Sequence, residues 1–161
     1  MTASINAQDV LDMAVRIERN AQAFYRAAAA ATGDESIRTL LNALAQWEDS
    51  HGDALERLRD ASAEGGDEFS LADPGDGMAD YFRALARDFP FLVDESAAKP
   101  SAGMEDTCGV LSLALDMERA TVLFFAGVRT LVSGADSKQI DRVIQEEIEH
   151  AMMLSKGSSG L

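Results

Sequence analysis

The chain has two histidines, and each of them lies three residues after a glutamate. Glu48 precedes His51, and Glu147 precedes His150. Residues three apart share one face of an α-helix, so each carboxylate and its imidazole point in the same direction. Carboxylate oxygens and imidazole nitrogens are common ligands of transition metals in proteins. Two Glu-x-x-His patterns therefore indicate a metal site.

The surroundings of Glu147 and His150 are apolar. The neighbours on the same helical face are Val143, Ile144, Ala151 and Leu154. This spacing predicts that the carboxylate and the imidazole point into a core, where an ionised carboxylate is costly unless it is paired or bound to a metal. The alternative is that both histidines are core residues that pair with the glutamate one turn away.

The elements that must position these residues are long helices. Apolar residues recur at helical spacing over 6–62 and 106–155, and each stretch is long enough for a hairpin of two helices. The stretch 65–105 holds five glycines and all three prolines, which mark turns, with a short helix predicted at 78–87. A connection of this length predicts a crossover along a bundle. The tail 156–161 is predicted to be flexible.

The predicted fold is therefore all-α: a four-helix bundle of two antiparallel hairpins joined by a long crossover, in a single domain spanning 1–161. The two hairpins are near copies, since their first helices match at an offset of 100 residues and their second helices at 99. The corresponding pairs are Glu18 with Glu118, Glu48 with Glu147, and His51 with His150. Alone, Glu18 and Glu118 could be surface acids beside the apolar stripe, but the repeat argues against this. Packed face to face, the copies bring four carboxylates and two imidazoles to one centre.

Three acids precede His150, and the repeat distinguishes them. Glu149 adjoins His150 and points well away from it, because successive helical residues turn by about 100°. Glu146 and Glu147 both share the face of His150. In the second helix the position equivalent to Glu146 holds Trp47, whereas the position equivalent to Glu147 again holds a glutamate. The repeat thus predicts Glu147 as the ligand. Trp47 is predicted to be core packing, because aromatic residues at helical spacing usually are.

Four glutamates and two histidines form the ligand set of a dinuclear carboxylate centre, in which two carboxylates bridge both metals. Four negative charges also balance two divalent cations, which removes most of the cost of burial. The oxygen-rich set suits iron or manganese, and zinc or cobalt could also bind. We expect two iron ions, with zinc or manganese as replacements in purified protein.

The composition excludes several classes of partner. The chain of 161 residues carries 14 basic against 28 acidic residues, a net charge of −14, which argues against nucleic acid and anionic membranes. No apolar run approaches the roughly 18 residues of a membrane span, and the N-terminus lacks the pattern of a signal peptide, so we expect a cytoplasmic protein. Cys108 is the single cysteine, which excludes an intramolecular disulfide, and it is predicted to be an inert buried thiol.

These patterns resemble the ferritin-like di-iron carboxylate superfamily, and most of all its rubrerythrin branch. The matching segments are Glu18 to Tyr25, Glu48 to His51, Met117 to Arg119, and Glu147 to His150. The resemblance covers 6–62 and 106–155. It implies that Glu48 and Glu147 bridge two irons, that Glu18 and His51 hold one of them, and that Glu118 and His150 hold the other. The same six residues are then the predicted catalytic residues.

The resemblance also implies that Tyr25 lies beside the ligands without binding metal, although core packing is the alternative. Rubrerythrins reduce peroxide, or oxidise ferrous iron with dioxygen, so the resemblance implies an oxidoreductase. The alternative is a metal-binding or iron-storage module without turnover. Thr121 stands where rubrerythrins carry a further glutamate, which puts the rubrerythrin-style movement of iron between ligands in doubt. Cys108 alone cannot hold a cysteine-ligated iron, so we expect an external electron donor protein. We also expect a homodimer or a larger homo-oligomer.

Overall fold

The computed structural model describes residues 5–63, 71–94, 107–133 and 137–159. Within these ranges the backbone forms five α-helices and one short 3-10 helix, and the predicted all-α class is confirmed. The helices are α1 (Ala7–Ala31), α2 (Glu35–Ala63), α3 (Asp76–Asp88), α4 (Thr107–Arg129) and α5 (Ser137–Ser159), with the 3-10 helix at Pro90–Leu92. Among these helices, none combines the length and the apolar character that spanning a lipid bilayer requires.

Local hydrogen bonds fix the first hairpin. The backbone N–H of Asp9 donates to the side chain of Asn6 and the N–H of Asn6 donates to the carboxylate of Asp9, both at 2.9 Å, which caps α1. At the start of α2, Asp34 Oδ1 accepts from the backbone N–H groups of Ser36 and Ile37 at 2.8 and 3.1 Å. Three residues separate α1 from α2, so the two helices must pack antiparallel.

The path of the chain follows from two hydrogen bonds between distant segments. The N–H of Ala7 donates to Asp73 Oδ1 at 2.8 Å, and the N–H of Ala72 donates to the carbonyl of Leu131 at 2.9 Å. The start of α1, the segment before α3 and the end of α4 therefore meet at one end of the bundle, where α2 also ends. Helix α4 must begin at the opposite end, so the chain between α2 and α4 crosses the bundle as predicted. Its stretches 64–70 and 95–106 lie outside the described residues.

The described part of the crossover packs on the side of the bundle formed by α1 and α4. Phe82 and Leu92 are buried there, and the ring of Phe82 lies 5.2 Å from that of Phe124. The side-chain amide of Asn20 donates to the carbonyl of Phe91 at 2.9 Å. These apolar residues thus cover the bundle of their own chain. The opposite side, between α2 and α5, receives no cover from the described residues.

Two local expectations differ from the structure. Helix α5 extends to Ser159, past its predicted end near Ser155, so the described residues 156–159 are helical; residues 160–161 lie outside the described range. A Cβ atom on Gly157 would lie 3.3 Å from Leu40 Cδ2, so this glycine permits a close contact between α5 and α2 instead of ending the helix. Cys108, predicted to be buried, is exposed in the first turn of α4.

Candidate metal centre

The six predicted ligands come together at the centre of the bundle. Each lies on the inward face of its helix because the apolar residues around it at helical spacing form the core. The residues are Glu18 on α1, Glu48 and His51 on α2, Glu118 on α4, and Glu147 and His150 on α5. None of the four glutamates is more than 2% exposed, and both histidines are buried. Four carboxylates at this depth need compensating positive charge.

The side chains form two groups that share two members. Glu18 and His51 lie in one group, and Glu118 and His150 lie in the other. The carboxylates of Glu48 and Glu147 belong to both, and within each group the potential ligand atoms lie within 4.8 Å of one another. This is the arrangement expected of two neighbouring metal ions with two bridging carboxylates.

The imidazole of His51 turns its Nδ1 atom toward the carboxylates. This nitrogen lies 2.9 Å from Glu147 Oε1 and 3.6 Å from an oxygen of both Glu18 and Glu48. The nearest oxygen of Glu48, one turn before His51 on α2, is thus beyond hydrogen-bond distance. The pairing of a core histidine with the glutamate of its own helix is therefore not what the structure adopts here.

The second imidazole repeats this orientation. Nδ1 of His150 lies 3.1 Å from Glu48 Oε1, 3.6 Å from Glu147 Oε2 and 3.8 Å from Glu118 Oε2. Its shortest contact again crosses to the other hairpin. The rings of His51 and His150 stack, with centroids 5.7 Å apart and planes 22° apart. Both rings thus present the same nitrogen to the two shared carboxylates, those of Glu48 and Glu147.

Eight of these buried atoms make no contact with hydrogen-bond geometry among the described residues, and the 2.9 and 3.1 Å approaches of the two Nδ1 atoms to Glu147 and Glu48 are among the contacts that lack it. The eight atoms are both carboxylate oxygens of Glu18, Glu48 and Glu147 and the Nδ1 atoms of His51 and His150. Buried polar atoms almost always have a partner, and each exception calls for an explanation. Eight exceptions at one centre, all on metal-ligating atoms, fit a site that binds cations.

The electrostatics of the cluster are those of crowded, buried acids. Burial, reinforced by the charges of Glu147 and Glu48, raises the pKa of Glu18 and of Glu118 well above the ordinary value. Burial also disfavours ionisation of Glu48, but contacts with both imidazoles outweigh it and lower the pKa to about 2.

Burial and the neighbouring carboxylates act in opposite directions on the pKa values of the imidazoles. Burial would lower the pKa of His150, but Glu147 and Glu48 raise it to about 9, and Glu147, Glu18 and Glu48 likewise raise the pKa of His51. Glu18, Glu118 and the two imidazoles thus hold protons more strongly than they would in water, and a metal ion that enters must displace these protons.

Tyr25 lies beside the cluster, as the resemblance implies. It is fully buried, and its hydroxyl donates a hydrogen bond to Glu118 Oε1. Burial and the nearby charge of Glu118 raise its pKa well above the ordinary value, so the phenol keeps its proton. The ring also packs edge-to-face on Phe24, at 5.4 Å, so packing and hydrogen bonding are combined in one residue.

Two residues next to the histidines were missed or misplaced. Glu146 lies outside both ligand groups, as the repeat predicts, but its Oε2 is 2.8 Å from Nε2 of His51, and its Oε1 accepts from Arg142 at 2.8 Å. The prediction that Trp47 is core packing is wrong: the residue is 41% exposed, and its ring stacks on His150, with centroids 5.2 Å apart and planes 12° apart. Each residue lies four positions before the histidine of its own helix but contacts the histidine of the other hairpin, so helical spacing gave no signal for these contacts.

A groove of about 740 Å³ opens between α2 and α5, on the side that the described crossover leaves uncovered. Its lining includes the two histidines, Trp47, Met153, Glu146 and Arg142. A small molecule can therefore approach the cluster from the imidazole side, past one aromatic ring and one ion pair.

Comparisons with known proteins bear on the fold. No protein-family model matches the chain, and no curated protein matches it. A solved structure from Thermotoga maritima, described as a ferritin-like diiron-carboxylate protein, matches with a TM-score of 0.67 over 99% of this chain and 98% of that one. The fold is ferritin-like. Because the two sequences are 18% identical, the likeness establishes the ferritin-like fold, and the rubrerythrin branch stays a prediction.

Proposed function

We propose that this ferritin-like chain is a di-iron oxidoreductase that reduces peroxide, or oxidises ferrous iron with dioxygen, using electrons from an external donor. The observation that carries the proposal is the set of eight buried ligand atoms without hydrogen-bond partners. They belong to carboxylates and imidazoles, a mixed oxygen and nitrogen donor set that suits non-haem iron.

The division of the ligands follows the two groups. Glu18 and His51 would hold one metal and Glu118 and His150 the other, with Glu48 and Glu147 between them. Four carboxylates then carry a charge equal and opposite to that of two divalent cations, so the loaded centre is close to neutral in a dry core. When bound, two irons would supply the one-electron steps that side chains of this composition cannot perform.

The residues that line the groove would let a small oxidant reach the metal centre. The groove reaches both histidines, and its volume is far larger than that of a peroxide or dioxygen molecule. Trp47 and Met153 give this approach an apolar wall, whereas Arg142 and Glu146 form an ion pair at its polar side. Reduction of one peroxide to two waters takes two electrons and two protons. The electrons must come from a donor outside the described residues.

The experiment is a redox cycle on iron-loaded protein. Metal-stripped protein is loaded anaerobically with ferrous iron, and the iron content is counted. Addition of peroxide should oxidise two irons per peroxide and change the iron absorbance, and an added donor should reverse the change over repeated cycles. A matched Glu48→Ala variant, which lacks one shared carboxylate, should lose the cycle.

The same experiment contains the competing outcome. Uptake of many irons per chain, with oxidised iron that the donor does not recover, would support iron storage and contradict the oxidoreductase. Protein that binds no iron would contradict both.

A further inference from the structure

The two hairpins agree in every predicted ligand and differ beside them. At the offset that aligns His51 with His150, Trp47 corresponds to Glu146. At the offset that aligns the first helices, Tyr25 corresponds to Phe125. Glu146, Trp47 and Tyr25 each contact a ligand of the opposite hairpin, so the differences bear on the two metal positions separately.

At the position of Glu18 and His51, the imidazole is held by a carboxylate. Nε2 of His51 lies 2.8 Å from Glu146 Oε2, which leaves Nδ1 facing the cluster. Arg142 in turn holds the other oxygen of Glu146 at 2.8 Å. A carboxylate on the outer nitrogen of a ligating histidine fixes the orientation of the ring and makes the inner nitrogen a stronger donor to metal.

At the position of Glu118 and His150, the imidazole is held by an aromatic ring. The indole of Trp47 lies nearly parallel to His150, at 5.2 Å. Stacking of this kind supports the plane of the ring but offers no acceptor to Nε2. Among the described residues, no hydrogen bond to that nitrogen is formed. His150 therefore lacks the support that His51 receives from Glu146.

Glu18 and Glu118, the carboxylates that each belong to one metal position, also differ, and the difference again favours the position of Glu18 and His51. Tyr25 donates a hydrogen bond to Glu118 Oε1, and a proton donor on a carboxylate oxygen competes with a cation for its lone pairs. Both oxygens of Glu18 are without a partner among the described residues. Phe125, equivalent to Tyr25, has no hydroxyl to donate. Glu18 is thus free to give both oxygens to metal, whereas Glu118 shares one of them.

We infer that the two metal positions are inequivalent: the position of Glu18 and His51 binds a divalent cation more tightly, and fills first. The inference rests on the proposed function in one respect, since both assign the same six residues to metal. Carboxylates on ligating histidines are typically worth about 10- to 100-fold in metal affinity. We expect the two positions to differ by about that factor.

The presence of only two histidines makes the order of filling directly observable. The full chain, stripped of metal, is titrated with zinc, and the imidazole signals are followed by nitrogen-correlated NMR, assigned with His51→Gln and His150→Gln. At one zinc per chain, the signals of His51 should have moved to their bound positions while those of His150 have not. The second zinc should then move those of His150.

A pair of matched variants tests the cause. Glu146→Gln keeps the size of the side chain and removes its charge, so the first step should weaken about 10- to 100-fold and the two histidines should shift together. Glu149→Gln makes the same change at an exposed position of α5 and should leave both steps as they were.

Simultaneous filling in the unaltered chain, filling of His150 first, or an unaltered titration of Glu146→Gln would each overturn the inference while leaving the proposed function standing. Failure of the chain to bind any zinc or iron would overturn both.

Discussion

The hydroxyl group of Tyr25, on α1, donates a hydrogen bond to Oε1 of Glu118, on α4, and so links the two hairpins at the centre of the bundle. Both residues are buried, so water does not compete for the bond. The bond fixes the carboxylate in place and at the same time occupies one of its oxygens. Its removal should therefore affect stability and metal binding in opposite directions.

In Tyr25→Phe, we expect the metal-free protein to lose about 1–2 kcal/mol of unfolding free energy, because a buried hydrogen bond is lost. The second zinc should bind more tightly, because both oxygens of Glu118 become available. Urea unfolding and zinc titration measure the two effects. Tyr81→Phe is the control, since its hydroxyl donates to the carbonyl of Leu123 at 2.6 Å, away from the cluster. An unchanged second binding step would contradict the role given to Tyr25.

Substitution of neighbouring acids on α5 tests the ligand register. Glu147→Ala should lose at least one metal per chain and abolish redox cycling, because Glu147 belongs to both groups. Glu146→Ala should still bind two metals at saturation, since Glu146 contacts a histidine and not the shared site. Glu149→Ala should bind two metals as well. Elemental analysis after desalting measures the count, and loss of metal from Glu146→Ala with retention in Glu147→Ala would reverse the assignment.

The stability of the metal-free protein should fall as the pH rises. A group whose pKa is raised by folding stabilises the fold below its unfolded pKa and loses that contribution as the pH passes its folded pKa. For His150 this window runs from 6.5 to about 9, which corresponds to roughly 3 kcal/mol. Glu18 and Glu118, whose pKa values are also raised, act in the same direction.

Unfolding in urea with a chelator, compared between the two ends of that pH window, measures the effect. Zinc-loaded protein is the comparison, because cations there replace the protons and the loss should disappear. Metal-free protein that is more stable at the alkaline end would contradict the prediction.

The contact between the crossover and the bundle depends on Gly127. A Cβ atom there would lie 2.6 Å from Tyr81 Cε1 and 3.1 Å from Phe82 Cε1, so Gly127→Ala must displace these two rings of α3. We expect a net loss of about 1–2 kcal/mol, since overpacking exceeds the gain in helix propensity. Gly77→Ala, in α3 with open space around it, should be neutral or slightly stabilising. Thermal unfolding compares them, and equal midpoints would refute the close contact.

Thr121 offers a test of the resemblance to rubrerythrins. It is buried on α4, one turn after Glu118, so a glutamate there would add a fifth carboxylate near the cluster. Thr121→Glu should raise the rate with peroxide relative to the rate with dioxygen. Thr121→Gln, of similar size and uncharged, separates charge from bulk. An unchanged ratio of the two rates in Thr121→Glu would count against the inference from this position.

The sequence predicted the ligand cluster because duplication makes each half a check on the other. Glu18 alone was ambiguous, and its match with Glu118 identified it. Glu146 and Glu147 share one face, and the repeat alone separated them. The contacts of Trp47 and Glu146 could not be predicted in the same way, because they cross between hairpins. They depend on how the hairpins are rotated against each other, which helical periodicity does not encode.

The surroundings of residues near helix ends could not be predicted from the sequence either. Cys108 is exposed in the first turn of α4, and the close approach of Gly157 to Leu40 depends on how α5 packs against α2; helical periodicity encodes neither. The homo-oligomer, the cytoplasmic location, the external donor and the identity of the metals stay predictions.

The duplication lies within one chain, and this governs how the centre can diversify. In a symmetric dimer of identical hairpins, every substitution beside one metal is copied beside the other. Here the halves are encoded separately, so a tryptophan at position 47 and a glutamate at position 146 can occupy the same place in the repeat. Mutation can therefore tune one metal position while its counterpart keeps its properties.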